Sequence, residues 1–174
     1  RMAGKSTALA PSRWKPRASA VLLVGVLLLA LALRLSYLDQ KSLSFDELYS
    51  VFAAGHTPAG IVSLIVERDT HPPLYYTMLR LWMAVVGSSA VAIRSLSVLA
   101  GVVTVFLTYL LGARVVAPAV GLVAALLVAA SPFHVQATQE ARMYPWLGVW
   151  IWAGAWALIR WLDGGRRGWL VLYG

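Results

Sequence analysis

Two long apolar stretches, Ala18 to Tyr37 and Ser88 up to Glu140, contain no acidic residue. A chain that carries them has few ways to fold. Each stretch has room for at least one membrane span of ~20 residues. In lipid, backbone N–H and C=O groups must be satisfied within the segment, so the spans are helices. The alternation of apolar and polar residues that marks a membrane barrel is absent. Composition points the same way, with 60% hydrophobic and only 13% charged residues, where soluble domains carry roughly 25% charged. The expected fold is an all-α polytopic transmembrane helical bundle.

The net charge of +8 would suit a nucleic-acid binder if it formed a patch. Instead, Arg1, Lys5, Arg13, Lys15 and Arg17 precede the first apolar run, and Arg166 and Arg167 follow the last complete one. Basic residues at helix ends mark cytoplasmic flanks. The excess is a topology signal, and no nucleic-acid partner is expected. The chain has no cysteine, so neither a disulfide nor a thiolate nucleophile is available. Ala30-Leu31-Ala32 mimics a signal-peptidase site, but it lies inside an apolar core at the upper limit for a signal peptide, so an uncleaved first span is the better reading.

Residues 1–17 read as a cytoplasmic basic N-terminus and 18–36 as the first transmembrane helix. Residues 37–89 form a large external first loop, the most polar part of the chain. Within it, Asp46 to Ala54 and Ala59 to Glu67 read as short amphipathic helices on the membrane interface. Leu74 to Val86 is a run of the length more often interfacial than spanning. Arg80 at its centre would be costly at the midplane. Residues 90–174 supply further spans, Ala90 to Leu111, Ala119 to Phe133 and Trp146 to Leu162, with an external loop 134–145. Treating 74–86 as interfacial puts Arg114 and Arg166-Arg167 inside the cell and both polar loops outside. The chain stops within a new apolar run, Trp169 to Tyr173, and is expected to continue. The expected location is the cell (inner or plasma) membrane.

In so apolar a chain the acids and histidines are the informative positions. Asp46-Glu47 follows Ser44-Phe45, a pattern that capping alone would produce and that would also place a general base at the membrane surface. Asp69-Thr70-His71-Pro72-Pro73 sets a histidine at the mouth of a Pro-started helix, where it could cap, bind phosphate or ligate a metal. Arg94 lies near the outer end of its span, either snorkelling to head groups or holding a phosphate. In Gln139-Glu140-Ala141-Arg142-Met143-Tyr144, a helix would put Glu140 and Tyr144 on one face. Arg142 could offer its planar fork to a phosphate, oriented by Glu140. Glu47, His71 or Glu140 could serve a divalent metal, although no cluster spacing fixes one. All four groups are expected on one membrane face.

Phe45-Asp46-Glu47, His71-Pro72-Pro73-Leu74, Arg94-Ser95-Leu96 and Gln139 to Tyr144 together resemble the N-terminal module of GT-C glycosyltransferases. The likeness is greatest to the protein O-mannosyltransferases and their bacterial relatives, which include the lipid A aminoarabinose transferases. It runs from about Leu22 to Leu162. The resemblance implies a GT-C-like fold, a polyprenyl-phosphate sugar donor, and a base in the first external loop. By position, Asp46 corresponds to the catalytic acid with Glu47 beside it. His71 corresponds to the histidine of the His-Pro-Pro turn, and Arg94 and Arg142 to arginines near the lipid phosphate; Glu140 and Tyr144, from the reading of the motif itself, complete the expected substrate-binding set. Relatives usually carry an Asp a few residues beyond the second arginine, where this chain has Tyr144-Pro145-Trp146, so the acceptor is left open between protein, lipid and glycan hydroxyls. The expected activity is inverting sugar transfer at the external face. The rival readings are a transporter, which would place charges within broken spans near the midplane, and a non-catalytic membrane scaffold.

Overall fold

The computed structural model describes residues 16–68, 71–164 and 168–173, and all the elements among them are helices. Several sequence readings fall outside the described residues. These are most of the basic N-terminus, the Asp69-Thr70 step and Arg166-Arg167.

Helix α1 (Pro16–Leu35) and helix α5 (Ala90–Val115) are both long and apolar enough to cross a membrane. The 26 residues of α5 span about 39 Å. Two of its buried hydroxyls, Thr104 and Thr108, donate to the carbonyls of Ala100 and Thr104 one turn earlier, so neither exposes a polar group to lipid. Helices α6 (Pro118–Ala130) and α7 (Pro132–Thr138) meet at a 63° bend and make a third crossing if they form one broken span. Pro132 explains the bend: it has no N–H for the Val128 carbonyl and its ring obstructs a continuing helix. The sequence reading had a polar loop beginning at His134. Instead, Ser131 caps a new helix by accepting from the His134 amide, with Pro132 at its first turn, and the irregular link shortens to 139–143.

Helix α8 (Tyr144–Leu162) runs beside α5. Its tryptophans run along its length, Trp146 and Trp150 at the cap end and Trp161 in the last turn, and tryptophan at either end suits a membrane–water interface. A short helix, α9 (Gly168–Tyr173), follows. Antiparallel α5 and α6 approach closely through two glycines. A Cβ on Gly112 would lie 2.8 Å from the Gly121 Cα, and one on Gly121 would lie 2.5 Å from the Tyr109 carbonyl oxygen. Small residues let membrane helices pack backbone to backbone in this way. At this same end Arg114 of α5 meets Asp163 after α8 at 2.6 Å.

Between α1 and α5 lie α2 (Phe45–Ala54), α3 (Pro58–Arg68) and α4 (Pro73–Val86), close to the expected boundaries. The 14 residues of α4 reach about 21 Å, short of a ~30 Å hydrocarbon core. Arg80 turns back to the end of α2, donating to the carbonyls of Ala54 and Gly55 at 3.4 and 3.3 Å. These helices stack on the first turns of α5. Ala53, Ile61, Tyr76, Leu79, Ile93 and Ala141 bury a core there that is separate from the bundle core of Ala30, Val105, Ala125 and Ala129. The chain is an all-α integral membrane protein with a helical cap at one end of its bundle.

Candidate functional site

The candidate site residues gather at the cap end of the bundle. Ser44 accepts from the Glu47 amide while the Glu47 carboxylate accepts from the Ser44 amide, a complete capping box that starts α2 with both acids in its first turn, where the helix dipole favours them. From that shared start, Asp46 and Glu47 point to different partners.

Glu47 is buried, and so is Arg94, which reaches it from the second turn of α5. Arg94 Nε and Nη2 donate to the two carboxylate oxygens at 2.7 and 2.8 Å. Its remaining N–H groups go to the carbonyls of Leu38, Lys41 and Ser42, which uses all five guanidinium donors. Glu47 Oε1 also accepts from the Ala141 amide at 3.0 Å, and Oε2 from Ser44 at 2.9 Å. Burial alone would raise the Glu47 carboxyl. The Arg94 hydrogen bonds, those from Ser44 and Ala141, and the Arg94 charge outweigh it and bring the pKa down to about 2. Neither side chain of this pair keeps a donor or lone pair for a substrate.

Asp46 lies at the surface, its side chain 61% exposed, and forms an ion pair with Arg142. Arg142 also donates to the Tyr144 hydroxyl at 3.3 Å and lies 5.2 Å from the centre of that ring. Burial would lower the Arg142 pKa, but the Tyr144 hydroxyl and the Asp46 charge more than compensate and push it up, so the fork stays cationic. The partner that orients Arg142 is Asp46, not Glu140. The link 139–143 is not helical, so Glu140 and Tyr144 do not share a helix face.

Asp46, Tyr49, Ser50, His71, Tyr76, Arg142 and Met143 line a cleft of about 160 Å3. Next to it runs an apolar groove of about 240 Å3 between the starts of α4 and α8. His71 and Met143 belong to both, and Tyr75, Met78, Trp146 and Trp150 extend the groove. Burial raises the Tyr75 phenol pKa, so that hydroxyl stays protonated. Among the described residues no group of three histidines and acids is placed to hold a metal ion. Of the candidate site residues, the fold therefore brings Asp46, His71, Arg142 and Tyr144 to one cleft and its rim. Glu47 and Arg94 sit beneath it as a closed pair.

Sequence reasoning passed over Arg34, His134 and the amide of Gln139. Arg34 is fully buried within α1. Its Nη2 donates to His134 Nδ1 at 2.7 Å, which makes that nitrogen the acceptor and puts the ring proton on Nε2. The available signal was an ionisable residue inside an apolar span, a functional candidate by default.

A family model described as dolichyl-phosphate-mannose-protein mannosyltransferase matches residues 70–174, more than half of the chain. His71, Arg94, Arg142 and Tyr144 lie within the match, and Asp46 and Glu47 precede it. No curated protein and no solved structure matches.

Proposed function

Because the chain belongs to the dolichyl-phosphate-mannose-protein mannosyltransferase family, whose members are membrane glycosyltransferases, we propose that it moves a sugar from a polyprenyl-phosphate donor to a hydroxyl acceptor at the external membrane face, with Asp46 as base and Arg142 as the cation at the donor phosphate. The observation that carries this reading is the Asp46–Arg142 ion pair in a polar cleft that continues into an apolar groove. A carboxylate, a fixed cation and a track for a lipid tail adjoin within one site.

In the reaction, the acceptor oxygen forms a bond to the anomeric carbon while its proton passes to the Asp46 carboxylate. The bond from that carbon to the phosphate oxygen breaks, and its electron pair leaves with the polyprenyl phosphate. Attack opposite the leaving group inverts the centre. The donor is a phosphodiester with one negative charge, and the departing phosphate monoester carries more. Negative charge therefore develops on the side where a cation helps most. Arg142 offers a planar fork for it, and no general acid is required for so good a leaving group. That distinguishes this chemistry from glycoside hydrolysis, where two carboxylates divide acid and base roles.

Glu47 and Arg94 have structural parts in this reading: their pair fixes the start of α2 to α5 and so sets where Asp46 stands. His71, at the junction of cleft and groove, lies where sugar-phosphate would meet polyprenol. The test is transfer from labelled polyprenyl-phosphate sugars, mannose first, in membranes carrying the full-length protein. Sugar on a hydroxyl acceptor with release of polyprenyl phosphate is the expected result. Failure with every donor, together with solute uptake by the same membranes, would favour a transporter instead.

A further inference from the structure

Arg142 stands on an irregular link, and a long side chain on such a link would ordinarily sample many positions. Here the link is tied down residue by residue. The Gln139 side-chain amide donates to the carbonyls of Leu33, Arg34 and Ser36 at 3.3, 3.2 and 2.8 Å. Leu33 and Arg34 carry last-turn carbonyls of α1, which have no amide partner within the helix, and Ser36 lies one residue beyond it; the Leu33 carbonyl also accepts from the Ser36 hydroxyl at 2.7 Å. Two residues on, the Ala141 amide donates to Glu47, and the Arg142 carbonyl accepts from Ser97 at 3.4 Å.

Arg34 makes the converse contact. From the last turn of α1 it donates to Ala129 and Val128 at 3.2 and 3.4 Å. Those carbonyls lie at the end of α6; Val128 lacks the amide that Pro132 cannot supply and accepts instead from the Ser131 amide at 3.4 Å as well as from Arg34. The end of α1 thus receives the Gln139 side chain from just beyond α7, and the end of α6 receives the Arg34 side chain from α1. Gly101 makes room for the crossing, since a Cβ there would lie 2.6 Å from Arg34 Nε and 2.7 Å from Thr138 Cγ2.

We propose that Gln139 and Arg34 are positioning residues that hold Arg142 against Asp46 by exchanging helix caps between α1 and the α6–α7 bend. The proposal rests on the reading of Arg142 as the cation at the donor phosphate. Gln139 sets the register of the link directly. Arg34 acts one step further back, by fixing the bend from which α7 and the link depart.

These 174 residues hold no cysteine, so, with any cysteine elsewhere in the full-length protein replaced by serine, a pair introduced by Asp46→Cys and Arg142→Cys reports the spacing without a donor or any turnover. In the full-length protein in membranes, a short bifunctional thiol reagent should join this pair readily. Adding Gln139→Glu, which keeps the shape but cannot donate to carbonyls, should remove most of the cross-link, and Gln139→Lys, which restores a donor, should bring it back. With the native Asp46 and Arg142, Gln139→Glu should raise the donor KM by ~10-fold or more, leave the acceptor KM unchanged, and be rescued by Gln139→Lys. If Gln139→Glu does not fold, Gln139→Asn, one methylene short of reach, should give the same pattern more weakly. Unchanged cross-linking and donor KM in these variants would overturn the proposal, as would losses that merely track the amount of folded protein. Absence of the cross-link in the parent would contradict the placement of Arg142 itself. Failure of the glycosyltransferase reading would appear separately, as normal cross-linking with no transfer by any form.

Discussion

Glu47 and Arg94, 47 residues apart in sequence, close on each other with hydrogen bonds of 2.7 and 2.8 Å, and backbone groups take every remaining donor and acceptor position. Removing one partner of such a buried pair leaves the other charge uncompensated, which is expensive. Glu47→Gln or Arg94→Ala should therefore destabilise the helical cap by about 3–5 kcal/mol, read as thermal unfolding of the protein in detergent. A double change to apolar residues of similar volume should not recover the loss, because the Ser44 and Ala141 amides and the Leu38, Lys41 and Ser42 carbonyls would lose their partners.

The same pair sets an acid limit. The Glu47 pKa, about 2, lies below its ordinary 4.5, so folding favours the ionised carboxylate. The stability this contributes is complete above the ordinary value and disappears as the pH falls from 4.5 toward 2. The difference in melting temperature between wild type and Glu47→Gln should be constant near neutral pH and shrink across that interval. A difference that held unchanged down to pH 2 would contradict the pairing.

The glycines give a graded series. Gly121→Ala would put a Cβ 2.5 Å from a backbone oxygen, and Gly101→Ala would put one 2.6 Å from Arg34 Nε. Backbone cannot yield as a side chain can, so Gly121→Ala should be the more damaging to folded yield. Gly25 has nothing within 4 Å, and Gly25→Ala should be neutral or slightly stabilising, because alanine is favoured over glycine in a helix by up to ~1 kcal/mol.

Arg142→Lys keeps the charge but loses the planar fork. Transfer should fall by ~100-fold or more, with membrane insertion intact. Near-normal kinetics would make Arg142 a loop residue only.

Much of this was legible from residue order. Acid-free apolar runs located α1 and α5, and the Ser44-Phe45-Asp46-Glu47 pattern announced the start of α2. The roles inside the cap were harder to read. Glu47 sits beside Asp46 in sequence and resembles a second catalytic acid, but successive helical residues diverge by about 100°, so the two carboxylates reach different surroundings. Arg94 near the end of a span looks available to head groups, and nothing local reveals that Glu47 and three loop carbonyls absorb it. The α6–α7 bend was partly readable, since Ser131-Pro132 is a helix-start signal. The exchanged caps were not, because Gln139 and Arg34 act on carbonyls about 100 residues away, and carbonyls leave no trace in sequence.

The most direct test of the central claim compares wild type with Asp46→Asn in membranes containing the full-length protein, supplied with labelled polyprenyl-phosphate sugars. The asparagine keeps the shape of the side chain but cannot take the acceptor proton. Transfer by wild type and none by the equally well-inserted Asp46→Asn form is the predicted result. Turnover retained by Asp46→Asn would remove Asp46 as the base and contradict the account.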